Sequence, residues 1–136
     1  MIKITIPGPP GSKGRARVTK WGAYTPEKTV NYENLVKYSF IEQCKDVKPL
    51  EKAIGVHIHF YMPIPKSASK KNKILMALDV IRHTKKPDLT NMIKAIEDGL
   101  NGFAYIDDSQ IVIMYTTKRY SEEPRVEVTI VEIKED

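Results

Sequence analysis

The chain reads as an α+β protein: a mixed, mainly antiparallel sheet of about four to five strands with three helices, in one domain over residues 1–136. Three observations predict this. Stretches of strict alternation at Ile2–Ile6, Ile54–Met62 and Val126–Ile130 have the period of strands with one buried face. Leu89–Leu100 repeats its apolar residues three and four positions apart, the period of a helix. The two patterns are interspersed without a linker, a repeat or a low-complexity stretch, over a length that buries one modest core.

Ile2, Ile4 and Ile6 alternate with Lys3 and Thr5 in the first strand, which Pro7-Gly8-Pro9-Pro10-Gly11 breaks. Lys13, Arg15, Arg17 and Lys20 then lead to Trp21-Gly22 in a mobile or hairpin arm. These basic residues suit phosphate contact or a solvated loop. Trp21 is placed in a local core, with stacking of Trp21 or Tyr24 on an unpaired base as the alternative. Thr25 as N-cap and Pro26 as first helical residue open a helix to about Lys45, closed by Pro49. Val36, Phe40, Cys44 and Val47 form its apolar stripe. Cys44 is the single cysteine, which excludes an intrachain disulfide and reads as a buried thiol in a reducing compartment.

Ile54, Val56, Ile58, Phe60 and Met62 face one way and His57, His59 and Tyr61 the other, until Pro63 and Pro65 end the strand. The two histidines are strand-face or interface residues, because no cysteine or third histidine is near in sequence. A helix from Ser67 to about Val80 follows, with Lys66, Lys70, Lys71 and Lys73 early and Ile74, Leu75, Leu78 and Ile81 as its apolar side. Lysines in a first turn oppose the macrodipole, so an anionic partner there relieves a conflict. Arg82-His83-Thr84-Lys85-Lys86 continues the positive charge up to Asp88, with His83 either on that partner or packed in its loop.

Pro87 disfavours helix at Lys86, and Asp88 can cap a helix from Leu89 to about Asn101, ended by Gly102. At about 100° per residue, Leu89, Met92, Ile93, Ile96 and Leu100 face the core, and Asn91, Lys94 and Asp98 face away with Ala95 between them. Lys94 can reach back toward Asp88. A plain N-cap with one i,i+4 ion pair explains the same residues without chemistry. Asp107-Asp108 sits just before a strand that starts near Gln110 and is apolar on both faces, as a central strand is. Only one of the two acids then faces the site. Ser121-Glu122-Glu123-Pro124 turns into the last strand, Arg125–Ile133, as a hairpin.

Lys and Arg outnumber Asp and Glu by 22 to 17, for a net +5, which favours polyanionic partners. Acids able to hold a divalent cation, inside a basic protein, suggest metal-assisted cutting of nucleic acid. No apolar run is long enough to span a membrane and no signal peptide opens the chain, so a cytoplasmic location is expected.

In order and spacing, Pro87-Asp88-Leu89-x-Asn91-x-x-Lys94-Ala95-x-x-Asp98-x-Leu100, followed by Asp107-Asp108-Ser109-Gln110 and Val112, resembles the RusA family of Holliday-junction resolvases. Ile4-x-Ile6-Pro7-Gly8-x-Pro10, Tyr24-Thr25-Pro26 with Tyr32-Glu33, and Pro65-Lys66-Ser67-x-Ser69-Lys70-Lys71 leading to His83-Thr84-Lys85 are similar to its phage-type branch. The likeness covers nearly the whole chain. It implies a small α+β fold, a homodimer, a prophage setting, and Mg2+- or Mn2+-dependent cleavage of four-way DNA junctions. The family's catalytic set is an Asp-x-Asp-Asn motif, a lysine four residues after the second acid, and a later Asp pair. It falls here on Asp88, Lys94 and Asp107-Asp108, with Asp108 the expected ligand of the pair. Thr90 stands where the usual second acid would be, and a hydroxyl is a weaker ligand for a hard ion than a carboxylate.

Three consequences are open. Asp88 and Asp108 hold the ion with water; or Asn91, Asp98 or Glu97 supplies the missing oxygen; or the protein binds branched DNA without cutting it. DNA contacts are expected from Lys13, Arg15, Arg17, Lys70, Lys71, His83, Lys85 and Lys86. A hydrolase of small phosphates would need a phosphate-cradling glycine loop, and the sequence has none.

Overall fold

The computed structural model describes residues 1–14, 17–24 and 26–135, with the backbone alone at Arg17 and Tyr24. Its elements are β1 (Ile2–Pro7), β2 (Arg17–Thr19), β3 (Gly22–Tyr24), α1 (Glu27–Gln43), β4 (Ile54–Pro63), α2 (Lys70–Ala77), α3 (Leu89–Leu100), β5 (Ile111–Ser121) and β6 (Arg125–Glu132). One turn of 3-10 helix, Asp108–Gln110, precedes β5. The main sheet has the order β1-β6-β4-β5, and β2 pairs with β3 in a separate two-stranded ribbon. β6 is antiparallel to both β1 and β4, whereas β4 and β5 run parallel. This is the expected α+β class with three helices and a mixed, mainly antiparallel sheet.

Alternation explains the core. Ile2, Ile4 and Ile6 of β1, Val56, Ile58 and Phe60 of β4, and Val126, Val128 and Ile130 of β6 are buried on one sheet face. They share one cluster with Val36 and Phe40 of α1 and Met92, Ile96 and Leu100 of α3. On the opposite face the rings of His57 and His59 approach Tyr115 at 5.6 and 5.9 Å, and His59 Nδ1 lies 2.6 Å from Thr117 Oγ1. The histidines are strand-face residues, as expected.

Several expectations are corrected. β5 and β6 do not form a hairpin: β4 lies between them, and Ser121–Pro124 carries the chain across its end. β4 is inner because it pairs along its length with β5 on one side and β6 on the other. β5 is therefore an edge strand, not a central one, with Val112, Ile113 and Tyr115 61%, 50% and 55% exposed. Trp21 is no core residue. It is 86% exposed on the β2–β3 ribbon with the Lys20 ammonium 5.1 Å from its ring, since a ribbon of three-residue strands has no layer behind it. α2 starts at Lys70 behind the Ser69 cap, later than expected, and Ile74 and Leu78 of its expected apolar side are 60% and 66% exposed. Val47 is exposed past the end of α1, and Cys44 is half-buried with Sγ 3.8 Å from the Lys3 carbonyl; burial pushes its thiol pKa up. Thr25 and its expected cap lie outside the described residues.

Ala95 is fully buried, although helical spacing puts it on the polar side. α3 is covered twice, by the sheet along Met92, Ile96 and Leu100 and by α1 along Ala95 and Gly99. A Cβ on Gly99 would lie 2.7 Å from Val36 Cβ and 3.1 Å from the Glu33 carbonyl oxygen. The glycine is thus what lets α1 bring Glu33 up to the polar face of α3.

Candidate active site

Asp88 is in extended conformation at the start of α3, and its Oδ1 accepts the Asn91 backbone N–H at 2.9 Å. Its Oδ2 lies 3.4 Å from Asn91 Nδ2. The carboxylate is exposed, so capping leaves it open to solvent. One turn on, Lys94 Nζ stands 3.3 Å from Asp98 Oδ1 and 3.3 Å from Asp108 Oδ2. Lys94 thus reaches forward along α3 and across to the turn before β5, rather than back toward Asp88.

Lys13 continues the row. Its Nζ lies 2.8 Å from Glu33 Oε1 and 3.1 Å from Asp98 Oδ2, and its backbone N–H donates to the Asn91 carbonyl at 3.0 Å. The order Glu33, Lys13, Asp98, Lys94, Asp108 alternates in sign across two α-helices, one loop and one 3-10 turn. Lys13, expected on DNA, has its charge committed within the protein, because its acids come from α1 and α3. The hydrogen bond to Glu33 raises the Lys13 pKa over the opposing effect of burial, with Asp98 adding to the rise. Burial alone would lower Lys94, but hydrogen bonds to Asp108 and Asp98 outweigh it and raise its pKa. Lys94 is therefore charged at neutral pH. Glu97 is half-buried, and burial raises its carboxyl pKa against the pull of Lys94.

The Asp pair divides its work. Asp107 Oδ2 accepts the Ser109 N–H at 3.1 Å, and the Asp107 N–H donates to Gln110 Oε1 at 2.9 Å. The Ser109 hydrogen bonds hold the Asp107 carboxyl below its usual value. Gln110 Nε2 donates to the carbonyls of Leu50 at 2.9 Å and Lys52 at 2.8 Å, fastening the turn beside β4. Asp107 is thus used in shaping the turn that presents Asp108 to Lys94.

Two residues near the site had not been singled out from sequence. Lys118 Nζ donates to the carbonyls of Lys85 and Pro87, each at 3.1 Å, immediately before Asp88. Its signal was parity: it shares a strand face with Met114 and Tyr120, which look toward the core. Glu33 was legible only as part of the Tyr32-Glu33 likeness, with no role attached, since only packing of α1 on α3 brings it near. His83 packs its ring on Tyr120 at 4.8 Å, and burial, then the Lys118 charge, lowers its pKa. Lys70 and Lys71 are exposed at the start of α2, and Lys85 and Lys86 are exposed in the turn before Asp88. Arg15 and the side chain of Arg17 lie outside what is described.

Among the described residues, no three His, Cys, Asp or Glu side chains group closely enough to hold a metal ion by themselves. The oxygen donors at hand, from Asp88, Asn91 and Asp108, are hard ligands. They fit an ion of the Mg2+ type, which is held by one or two carboxylates and completed by water and substrate phosphate. Beside Asp88 and Asn91 opens a cleft of about 990 Å3 between the Pro9–Gly14 strap and α1, with Tyr32 and Leu35 in its wall and Lys28 and Lys86 in its lining.

A basic α+β chain with half-buried acids around a fixed ammonium, next to an open cleft with lysines in its lining, has the outline of a nuclease. Residues 7–131 match the family described as Endodeoxyribonuclease RusA, and the chain belongs to that family. The reaction class of that family is endonucleolytic cleavage of DNA. The chain is also 36% identical over 138 positions to a protein of Bacillus subtilis (strain 168) described as "Uncharacterized protein YqaN", covering 97% of this chain and 96% of that one. Among the described residues, no helix is long and apolar enough to cross a membrane.

Proposed function

We infer that this chain is a divalent-ion-dependent crossover-junction endodeoxyribonuclease, acting as a homodimer in the cytoplasm, in recombination and repair of DNA of prophage type. The observation that carries the reading is Lys94, whose ammonium is fixed between Asp98 and Asp108 one turn beyond the Asp88–Asn91 pair. Asp88 and Asp108, with Asn91, would hold Mg2+, or Mn2+ in its place. Held there, such an ion would supply a more acidic water and a positive clamp on the phosphate.

The chain's own groups do the rest. Lys94 offsets the charge that builds on the phosphoryl oxygens as water adds to phosphorus and the sugar alkoxide departs. Asp98 keeps that ammonium from swinging away, while Lys13, anchored by Glu33, keeps Asp98 in place. Lys28 and Lys86 meet the strand entering the cleft, and Lys70, Lys71, Lys85, Arg15 and Arg17 extend the contact along the phosphates. A two-fold dimer offers two sites to the two equivalent strands of a four-way junction.

A second reading is favoured by Thr90 together with the absence of a three-carboxylate group among the described residues: a branched-DNA-binding protein without cleavage. A labelled four-way junction and a matched duplex separate the two, incubated with Mg2+, Mn2+ or chelator. Paired symmetric nicks in the junction alone, abolished by chelator and by Asp88→Asn, are the expected result. Tight junction binding without nicks in either ion, with nicking gained in Thr90→Asp, would establish the second reading.

A further inference from the structure

Lys118 belongs to the edge strand β5 and pairs in register with Phe60, a fully buried residue of β4. Its strand-face neighbours Met114 and Tyr120 stand opposite Val56 and Met62, also buried. A lysine on the inner side of a sheet is tolerated only where its ammonium is satisfied. The ordinary partner would be a carboxylate, yet among the described residues Lys118 pairs with none. It donates instead to two backbone carbonyls, those of Lys85 and Pro87, at 3.1 Å each. An ammonium has three donors in a compact head, so it can gather two carbonyls of one turn where an apolar side chain would hold neither.

The position of that turn gives the contact its meaning. The next residue after Pro87 is Asp88. At the other end of β5, Asp108 opens the single 3-10 turn that leads into the strand. One strand thus carries one acid of the site at its start and, through Lys118, grips the peptide that presents the other. We propose that Lys118 is a positioning residue that sets the Asp88 carboxylate relative to Asp108 by holding the Lys85–Pro87 turn on β5. The proposal deepens the ion-dependent reading given above and rests on it. Lys118 touches neither ion nor DNA in this role. Groups that orient ligands from behind matter to ion affinity nearly as much as the ligands do. His83, packed on Tyr120 and sensing the Lys118 charge, fills the space beside the same turn.

The test compares the full chain with Lys118→Met, Lys118→Arg and Asp88→Asn. Mn2+ affinity is measured by calorimetry on protein stripped with chelator, melting without metal by circular dichroism, and single-turnover nicking on a four-way junction. Lys118→Met should weaken Mn2+ binding by about 10–100-fold with little change in melting temperature. Lys118→Arg, which keeps charged donors at the turn, should restore most of that affinity. Unchanged Mn2+ affinity in Lys118→Met would overturn the proposal while leaving a nicking wild type as a resolvase. So would a joint fall in affinity and melting temperature that arginine does not rescue, since that is the signature of packing alone. A wild-type chain that binds no Mn2+ would overturn the ion-dependent reading and the positioning role together.

Discussion

Lys94 shows how much a single side chain depends on its company. Its two acids raise its pKa, so across the neutral range the site always presents a cation there. A fixed cation aimed at developing charge acts on the transition state more than on the bound substrate. Lys94→Ala should therefore slow single-turnover junction cleavage by about 10²–10³-fold. Junction affinity, read by fluorescence anisotropy in chelator, should stay close to wild type; an equal loss of both would contradict the role. The Lys94–Asp98 pair was legible in the sequence because helix geometry places residues four apart side by side. The Asp108 contact was not, since it depends on where the sheet delivers the turn before β5. The ion pairs of Lys13 were not legible for the same reason: its partners Glu33 and Asp98 lie far off in sequence, so it looked like a free cation.

At the scale of the element, α3 decides the site. Its helix is held chiefly by burial, with Met92, Ile96 and Leu100 each contributing about 1.5–3 kcal/mol. The Asp88 cap is worth about 0.5–2 kcal/mol, and asparagine caps as well as aspartate. Loss of cleavage in Asp88→Asn will therefore report on charge rather than on an unfolded helix. Gly99 is the tighter constraint. A methyl group there would collide with Val36, so Gly99→Ala should cost about 1–3 kcal/mol, seen as a lower urea midpoint at unchanged slope. It should also loosen the Glu33–Lys13 anchor. The span of α3 was readable, from the Asp88 cap to the glycine after it, because both signals are local. The burial of Ala95 was not readable, because a one-sided stripe does not announce a second packing partner.

For the whole molecule, the open question at the sequence level was strand order. Alternation identifies a strand and its buried face but not its neighbours, so β5 and β6, adjacent in sequence, looked like a hairpin. Pairing of β4 with both β5 and β6 puts it between them and leaves β5 at the edge. The exposed Val112, Ile113 and Tyr115 of that edge offer apolar area to a second copy. Sedimentation velocity should report a mass of two chains at micromolar concentration, and Tyr115→Glu should lower it toward one. Two chains in both proteins would place the dimer contact elsewhere.

The arrangement of the sheet also bears on how the protein is made. β1 precedes every other described strand in the chain, yet its partner in the main sheet is β6, the last of the described elements. β4 likewise waits for β5 and β6, with α2, α3 and the acid-bearing turn all emerging in the interval. Closing such distant contacts comes late in folding, because the loop entropy must be met first. A nascent chain that has passed α3 already holds Asp88, Asn91 and Lys94, yet it lacks the strand that brings Asp108 to them. The proposed site thus comes into being only with the completed sheet, and a partly synthesised chain carries its residues without their arrangement.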